Sequence, residues 1–398
     1  MVTGDLNIML VCGEPSGDAL GAQLMAGLKG LSPVPIAFSG VGGSAMAREG
    51  LQSLFALDAT SVMGLREVVP AIPRILRHVK IAVDFAVRTR PDVVVVIDSP
   101  DFTHRVARGI RKRDPSIRVV DYVAPQVWAS RAYRARDMAG DFDLVLALFP
   151  FEVPFFETYG LKAAFVGHPV IERAARITGG ADLRARLGIA PDAPLLALLP
   201  GSRTSEIRFI LPEFRQAVTR LAARIPGLVT VLPTVPHVAE KVCAATQGWP
   251  TPLHILENEA DKYAAFDAAT VALAASGTVT AEIALSHTPM VVAYRVGGLT
   301  FFLSKFLMNV KFMALINILL ERQVVPEFLQ AACTPDRLAE AVERLFTDAD
   351  ARAAQMAAMT EFGRLLGEGD DAPSRRAART LLAFIAQPEA KKPETKKA

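Results

Sequence analysis

Short apolar runs punctuate this chain, and the stretches between them carry apolar residues at helical spacing. The runs are Leu6–Cys12, Val93–Ile97, Arg118–Tyr122, Leu144–Leu148, Leu195–Leu199, Leu228–Leu232, Leu253–Leu256, Val271–Ala275 and Met290–Tyr294. They are short and mostly apolar rather than alternating, which suits strands buried on both faces of a sheet. Val93–Ile97 is five β-branched residues in a row, a pattern that fits a central strand. Helical spacing appears at Leu20–Leu28, Glu206–Ala223 with Pro212 as a kink, Thr280–Ser286, 351–366 and 373–386. Strand and helix in alternation predict a doubly wound parallel sheet in each half of the chain. No repeat of solenoid period is present, and the halves are alike in kind only.

In such sheets ligands bind beyond the carboxyl ends of the strands, so the residues that follow each run are the candidates for chemistry. After Val271–Ala275 comes Ser276-Gly277-Thr278, a small-residue turn opening a helix that Pro289 stops. Free amides and the helix dipole make that an anion site. Glu282, about one turn on, is placed to accept from a ribose diol; an ordinary strand-turn-helix with a capping Ser carries the same letters. Gly201-Ser202-Arg203 after Leu195–Leu199 is a second turn of this kind, and Arg203 adds a two-pronged cation for a diphosphate. In the first half, Gly13-Glu14-Pro15-Ser16-Gly17-Asp18 follows Leu6–Cys12. Its glycines lie four apart, unlike the G-x-G-x-x-G of dinucleotide folds, and no acidic residue closes a second strand in the right place, which argues against NAD. A loop holding a sugar or phosphate and a plain glycine-bearing turn both fit; Glu14 and Asp18 favour the first. Asp98, directly after Val93–Ile97, stands where a carboxylate takes a proton from an attacking hydroxyl. Capping of the next helix, shared between Asp98 and Asp101, is the other reading. His168, in Phe165-Val166-Gly167-His168-Pro169, marks a domain boundary and is either a site residue or a structural histidine.

Composition narrows the picture. With 398 residues, 51% of them hydrophobic, the chain has room for two cores, and a net charge of +3 does not call for nucleic acid. Cys12, Cys243 and Cys333 have neither paired nor metal-ligand spacing, so a reducing compartment and no metal are expected. No leader is read at the start, because Ile8–Cys12 is too short and follows Asp5. Phe301–Leu320 is interrupted by Lys305, Asn309, Lys311 and Asn317; it packs in a core or lies at an interface rather than crossing a bilayer. Across 65–90, Arg66, Arg74, Arg77, Lys80, Arg88 and Arg90 face only Glu67 and Asp84, and the apolar set is wider than one core stripe. Such a surface suits an amphiphile with an anionic head or an anionic membrane; a charged face on a buried helix is the alternative. The tail from 387 to 398 is rich in Lys, Pro and Glu and is expected to be disordered.

Taken together, several stretches resemble one family in order and along nearly the whole chain. They are Gly13–Asp18, Val62-Met63-Gly64-Leu65-Arg66-Glu67-Val68, Ile97–Phe102, Val123-Ala124-Pro125-Gln126-Val127-Trp128-Ala129, Leu148-Phe149-Pro150-Phe151-Glu152, Phe165–Pro169, Leu199–Arg203, Ala275–Thr278, Asn317-Ile318-Leu319 with Val325-Pro326-Glu327-Phe328, and Ala372–Ala378. The chain resembles the lipid-A-disaccharide synthases, which are inverting GT-B glycosyltransferases. The resemblance implies two Rossmann-like domains facing across a cleft: 1–168 for the acceptor, 169–355 for the UDP-sugar, 356–386 as helices returning to the first domain, and 387–398 as tail. It implies transfer from UDP-2,3-diacylglucosamine to 2,3-diacylglucosamine 1-phosphate (lipid X), giving a β(1→6) disaccharide 1-phosphate and UDP.

By carry-over Asp98 is the base. Gly201, Ser202, Arg203, Ser276, Gly277 and Thr278 hold the diphosphate, with Glu282 near the ribose and Asn317 near the donor. Glu14, Ser16, Asp18, Met63 and His168 belong to the acceptor side. No cofactor or metal is needed if cations and helix amides stabilise the leaving UDP. The family usually has Pro where Ile316 stands, which puts the role of Asn317 in question. The resemblance also implies a homodimer, attached peripherally to the cytoplasmic face of the inner membrane of a Gram-negative bacterium. Two rivals share the fold: a UDP-N-acetylglucosamine 2-epimerase, whose substrate has no acyl chains to match the greasy stretches, and a transferase for another lipid-linked sugar. A non-catalytic membrane-surface binding protein is a third reading.

Overall fold

The computed structural model describes residues 5–57, 65–125, 127, 133–295 and 312–387, without the side chains of 65–71. It divides into two compact units, Met1–Pro169 with Asp370–Ala398, and Val170–Gly369. The first contains seven strands: β1 (Leu6–Cys12), β2 (Ile36–Val41), β3 (Gln52–Ser53), β4 (Val93–Ile97), β5 (Val119–Tyr122), β6 (Leu144–Ala147) and β7 (Ala163–Phe165). They form one parallel sheet in the order β3-β2-β1-β4-β5-β6-β7. The second contains β8 (Leu195–Leu199), β9 (Val229–Pro233), β10 (Leu253–Leu256), β11 (Val271–Ala275), β12 (Met290–Tyr294) and β13 (Glu327–Leu329), all parallel, in the order β10-β9-β8-β11-β12-β13.

The apolar runs lie at the centre of each sheet for the reason their letters suggest. Every residue of β4, β8 and β11 is buried. Each such Val, Leu or Ile withdrawn from water contributes about 1.5–3 kcal/mol before chain entropy is set against it. The strands without an apolar run are β2, β3, β7 and β13. Both residues of β3 are exposed, those of β7 and β13 are half-buried, and β2 carries Ser39 and Gly40. Strands at or near a sheet edge need no continuous apolar stretch, so the pattern did not mark them.

Three helices begin earlier than their apolar spacing indicates. The first runs Pro15–Leu31, with Pro15 in its opening turn, so most of the expected Gly13–Asp18 loop is helix. The helix after β8 is Thr204–Ala222 and keeps Pro212 inside it; the one after β11 is Thr278–Leu285. First turns are polar because their amides seek side chains or ligands rather than a core.

The chain rejoins its first unit at Asp370, later than residue 356, so Ala349–Leu366 stays with the second unit. There Gln355 takes the amide of Met290 (2.9 Å) and donates to its carbonyl (3.2 Å). The last helix, Pro373–Ala386, lies on Pro15–Leu31, where a Cβ at Gly27 would stand 3.0 Å from the Ser374 carbonyl oxygen. Arg118 closes that helix by donating to the carbonyls of Phe384, Ile385 and Gln387, each at 3.1 Å. Among the described residues no helix is long and apolar enough to cross a membrane. Residues 301–311 of the Phe301–Leu320 stretch lie outside the described residues, as do 388–398 of the tail. The described end of Phe301–Leu320 contains only the short helix Leu315–Leu319.

Candidate active site residues in each unit

In the first unit the strand order reverses between β1 and β4, which pair with Cys12 opposite Ile97. Gly13–Ser16 and Asp98–Asp101 leave those two strand ends side by side. Two glycines permit the approach. A Cβ at Gly13 would stand 2.8 Å from Cβ of Ser99, and one at Gly17 would stand 3.1 Å from the Ile97 carbonyl oxygen. Two of the glycines whose spacing failed as a dinucleotide motif therefore answer a steric need where the first helix and its approach pass the end of β4.

Asp98 and Ser99 are both left-handed, at φ +54° and +47°, a conformation that costs non-glycine residues about 1–3 kcal/mol each. The kink is held by Thr103, whose hydroxyl donates to the carbonyls of Asp98 (2.6 Å) and Ser99 (3.0 Å). It turns the Asp98 carboxylate towards the first helix. Oδ2 accepts from the Ser16 hydroxyl at 2.9 Å and Oδ1 from the Ser99 amide at 2.8 Å. Asp98 does not cap the following helix; Ser99 takes that position, with no side-chain cap. Beneath lies Cys12, whose thiol is pushed up to about 12, first by burial and then by the charge of Asp18.

The other first-unit candidates divide. Glu14 and Ser16 are exposed, and Ser16 is the one that meets Asp98. Asp18 is buried and given to the fold: Oδ1 accepts from Gly43 N (2.7 Å) and Met46 N (3.0 Å), and Oδ2 from Ala45 N (2.9 Å), which caps the helix Ser44–Arg48. His168 stacks on Phe149 with ring centres 5.3 Å apart, and Phe149 on Phe151 at 5.6 Å. Met63 lies outside the described residues.

In the second unit the order reverses between β8 and β11, paired with Leu199 opposite Ala274. The two expected anion turns leave these adjacent strand ends, and they differ. At the β8 turn, Glu206 fills the place of an anion. Its Oε2 accepts the amides of Ser202 (2.9 Å) and Arg203 (3.1 Å), and its Oε1 lies 3.3 Å from Nη1 of Arg203. The Ser202 carbonyl accepts from Nε2 of His237 at 2.8 Å, and Lys241 donates to the Thr204 hydroxyl at 3.0 Å. Glu206, His237 and Lys241 were not read as site residues. Glu206 three residues after Arg203 is a capping-box spacing that the letters do carry.

At the β11 turn, Gly277 rather than Ser276 is the N-cap, and the Ser276 hydroxyl donates to the Met313 carbonyl at 3.3 Å. Gly277 and Thr278 are exposed, and no acceptor among the described residues meets the amides of Thr278 and Val279. Glu282 is buried on the same helix, with Oε1 3.2 Å from Nε of Arg173 and Oε2 3.0 Å from Nζ of Lys262. Neighbouring Tyr263 is pushed up to about 12, mainly by burial and next by the charge of Glu282.

Asn317 is wholly buried and its amide is fully used. Oδ1 accepts from Val324 N (2.8 Å) and Val325 N (3.0 Å), while Nδ2 donates to Val325 O (2.9 Å) and Glu327 Oε1 (2.6 Å). Glu327 in turn takes the amides of Met313 and Ala314. Asn317 thus reaches Ser276 through Glu327 and Met313. Ile316 occupies the first turn of Leu315–Leu319, a position where proline and isoleucine are both tolerated. A recess of about 840 Å³ in this unit, near Arg322, Phe328 and Arg344, lies away from these turns.

The chain matches the family model described as lipid-A-disaccharide synthetase over residues 8–380. It is 48% identical over 380 residues to the lipid-A-disaccharide synthase of Rhodospirillum centenum, covering 96% of this chain and 95% of that one. The enzyme of that name from Paramagnetospirillum magneticum is 46% identical, covering 96% and 98%. Among solved structures, UDP-GlcNAc 2-epimerase from Neisseria meningitidis bound to UDP-GlcNAc is similar with a TM-score of 0.62 at 12% identity, covering 96% of this chain and 99% of that one. MurG of Acinetobacter baumannii is similar with a TM-score of 0.56 at 15% identity, covering 96% and 99%. At those identities the structural likeness is one of fold.

Proposed function

The chain belongs to the lipid-A-disaccharide synthetase family and is a glycosyltransferase of lipid A biosynthesis; from that premise we propose how its residues divide the reaction. The donor is UDP-2,3-diacylglucosamine and the acceptor is lipid X. The acceptor 6-hydroxyl attacks the anomeric carbon, its proton passes to Asp98, and the bond to UDP breaks with its electron pair leaving on the diphosphate. Inversion in one displacement asks for one base and one leaving-group stabiliser. Ser16 and the Ser99 amide each fix one oxygen of Asp98 and leave each a lone pair for the incoming proton. Glu14, Ser16 and His168 serve the acceptor side. Arg203 and the amides of Thr278 and Val279 meet the developing charge on UDP. Glu282 accepts from the ribose, oriented by Arg173 and Lys262, and Asn317 acts on the donor through the Ser276 turn.

The observation that carries this reading is the Asp98–Ser16 pair, built at a reversal of strand order on two left-handed residues. A mixed-micelle assay with both diacyl substrates, scored by mass for the tetra-acyl disaccharide and for UDP release, tests it. Product with wild type, and its formation slowed about 10³-fold with Asp98→Asn, is expected. Equal turnover in the two would end the assignment of Asp98, and conversion of UDP-N-acetylglucosamine to its 2-epimer would favour the epimerase.

The proposal also places the protein peripherally on the cytoplasmic face of the inner membrane, as a dimer. The membrane part is supported by the helix Leu65–Thr89, which exposes Ile72, Leu76 and Ile81 beside Arg74, Arg77 and Lys80. Flotation with anionic vesicles tests the membrane part. Binding lost in an Ile72→Ser/Leu76→Ser variant supports it, and binding unchanged refutes it.

A further inference from the structure

We propose that Glu206 is a positioning residue for Arg203, and that the β8 turn is closed by this carboxylate rather than by the substrate's phosphates. The inference rests on the role just given to Arg203 and says how that role is prepared.

The turn from Gly201 to Arg203 has the outward form of a phosphate cradle, but two of its amides and one of its carbonyls are taken. The Ser202 and Arg203 amides point at Glu206 Oε2, and the Ser202 carbonyl is held by His237. Glu206 is only 8% exposed, so its position is set by packing as well as by hydrogen bonds. Gly201 is part of the same device. It stands at φ +109°, and a Cβ there would lie 2.2 Å from Oε2 of Glu206. The turn therefore requires glycine because the carboxylate sits beneath it.

What the turn presents outwards is the Arg203 side chain, 76% exposed. Among the described residues its guanidinium meets only Glu206, through Nη1 at 3.3 Å. An exposed pair of this kind adds little to stability, but it selects one orientation of a flexible side chain. With Nη1 held, the edge formed by Nη2 and Nε stays open for two-point contact with a phosphate. A diphosphate seated on the amides would face a buried negative charge; one seated on that open edge would not. Glu206 thus acts through Arg203.

A double-mutant cycle in the mixed-micelle assay tests this, using wild type, Arg203→Ala, Glu206→Gln and the double variant, with thermal unfolding followed in parallel. Arg203→Ala is expected to lower kcat/KM about 100-fold or more. Glu206→Gln is expected to lower it about tenfold to a hundredfold, as misplacement of a contact group does, and less than about threefold when Arg203 is already Ala. A Glu206→Gln loss of equal size in both backgrounds would reduce Glu206 to a structural brace and overturn the inference. So would wild-type kcat/KM in Glu206→Gln alongside a loss in Arg203→Ala. If Arg203→Ala itself is silent, the reading of Arg203 fails, and this is seen separately from the coupling. Should Glu206→Gln not fold, Gly201→Ala displaces the carboxylate with Glu206 intact. It is expected to give the same Arg203-dependent loss, and a loss independent of Arg203 would refute the proposal.

Discussion

The turns after β8 and β11 look alike in sequence, each a strand followed by small residues and a helix, yet they differ in what stands at the third helical position. At the β8 turn the third helical residue is Glu206, a buried acceptor that takes the turn's amides. The corresponding residue after β11 is Thr280, whose hydroxyl donates to the Gly277 carbonyl at 2.8 Å and leaves the Thr278 and Val279 amides outward. The third helical residue thus decides whether the amides just before the helix meet a carboxylate of the chain itself; the first two helical amides, of Thr204 and Ser205 as of Thr278 and Val279, meet no acceptor among the described residues at either turn. The same division separates two aspartates of the first unit. Asp18 is spent on three backbone amides, while Asp98 has a hydroxyl and one amide as partners and is raised on a left-handed kink.

The sharpest break of that parallel lies in the aspartates. Asp98→Asn should lower kcat about 10³-fold, within the range for loss of a general base, while UDP binding by calorimetry stays within about twofold. Asp18→Asn should lower stability by about 1–3 kcal/mol, since one amide donor would then face another. Its kcat per folded molecule should stay within about threefold. If Asp18→Asn lost turnover as Asp98→Asn does, the division between fold and chemistry would be wrong.

Next in size is a transplant between the turns. Thr280→Glu would give the β11 turn the carboxylate that closes its neighbour. Calorimetry should show UDP affinity falling about 100-fold, the scale of losing oriented donors to a charged phosphate. Unchanged affinity in a folded Thr280→Glu protein would show that the β11 amides do not meet the diphosphate.

The centre of each sheet was legible because burial on both faces leaves a continuous apolar run, as in β4, β8 and β11. The position of Asp98 was legible because a strand end is a fixed place in such a sheet. Helix starts were not legible, since Pro15–Asp18 and Thr204–Glu206 are polar first turns without apolar spacing. The site is concentrated there, so the same limit hid what its carboxylates do. Glu282 and Asn317 are named by position alone. That Glu282 meets Arg173 and Lys262, or that Asn317 closes on Val324, Val325 and Glu327, depends on folding residues far apart in the chain.

The smallest effect sharpens the comparison at the backbone. Gly201 is left-handed at φ +109° with Glu206 against its missing Cβ, while Gly277 is extended at φ 166° with nothing within 4 Å. Alanine at 201 must carry strain of about 1–3 kcal/mol and move a buried carboxylate. At 277 alanine adopts the same extended backbone freely and should cost only about 0.5–1 kcal/mol, the difference between glycine and alanine as an N-cap. Urea denaturation of Gly201→Ala and Gly277→Ala should therefore separate the two midpoints. Equal midpoints would mean that Glu206 yields without cost, and the β8 turn would then be as open to an anion as its neighbour.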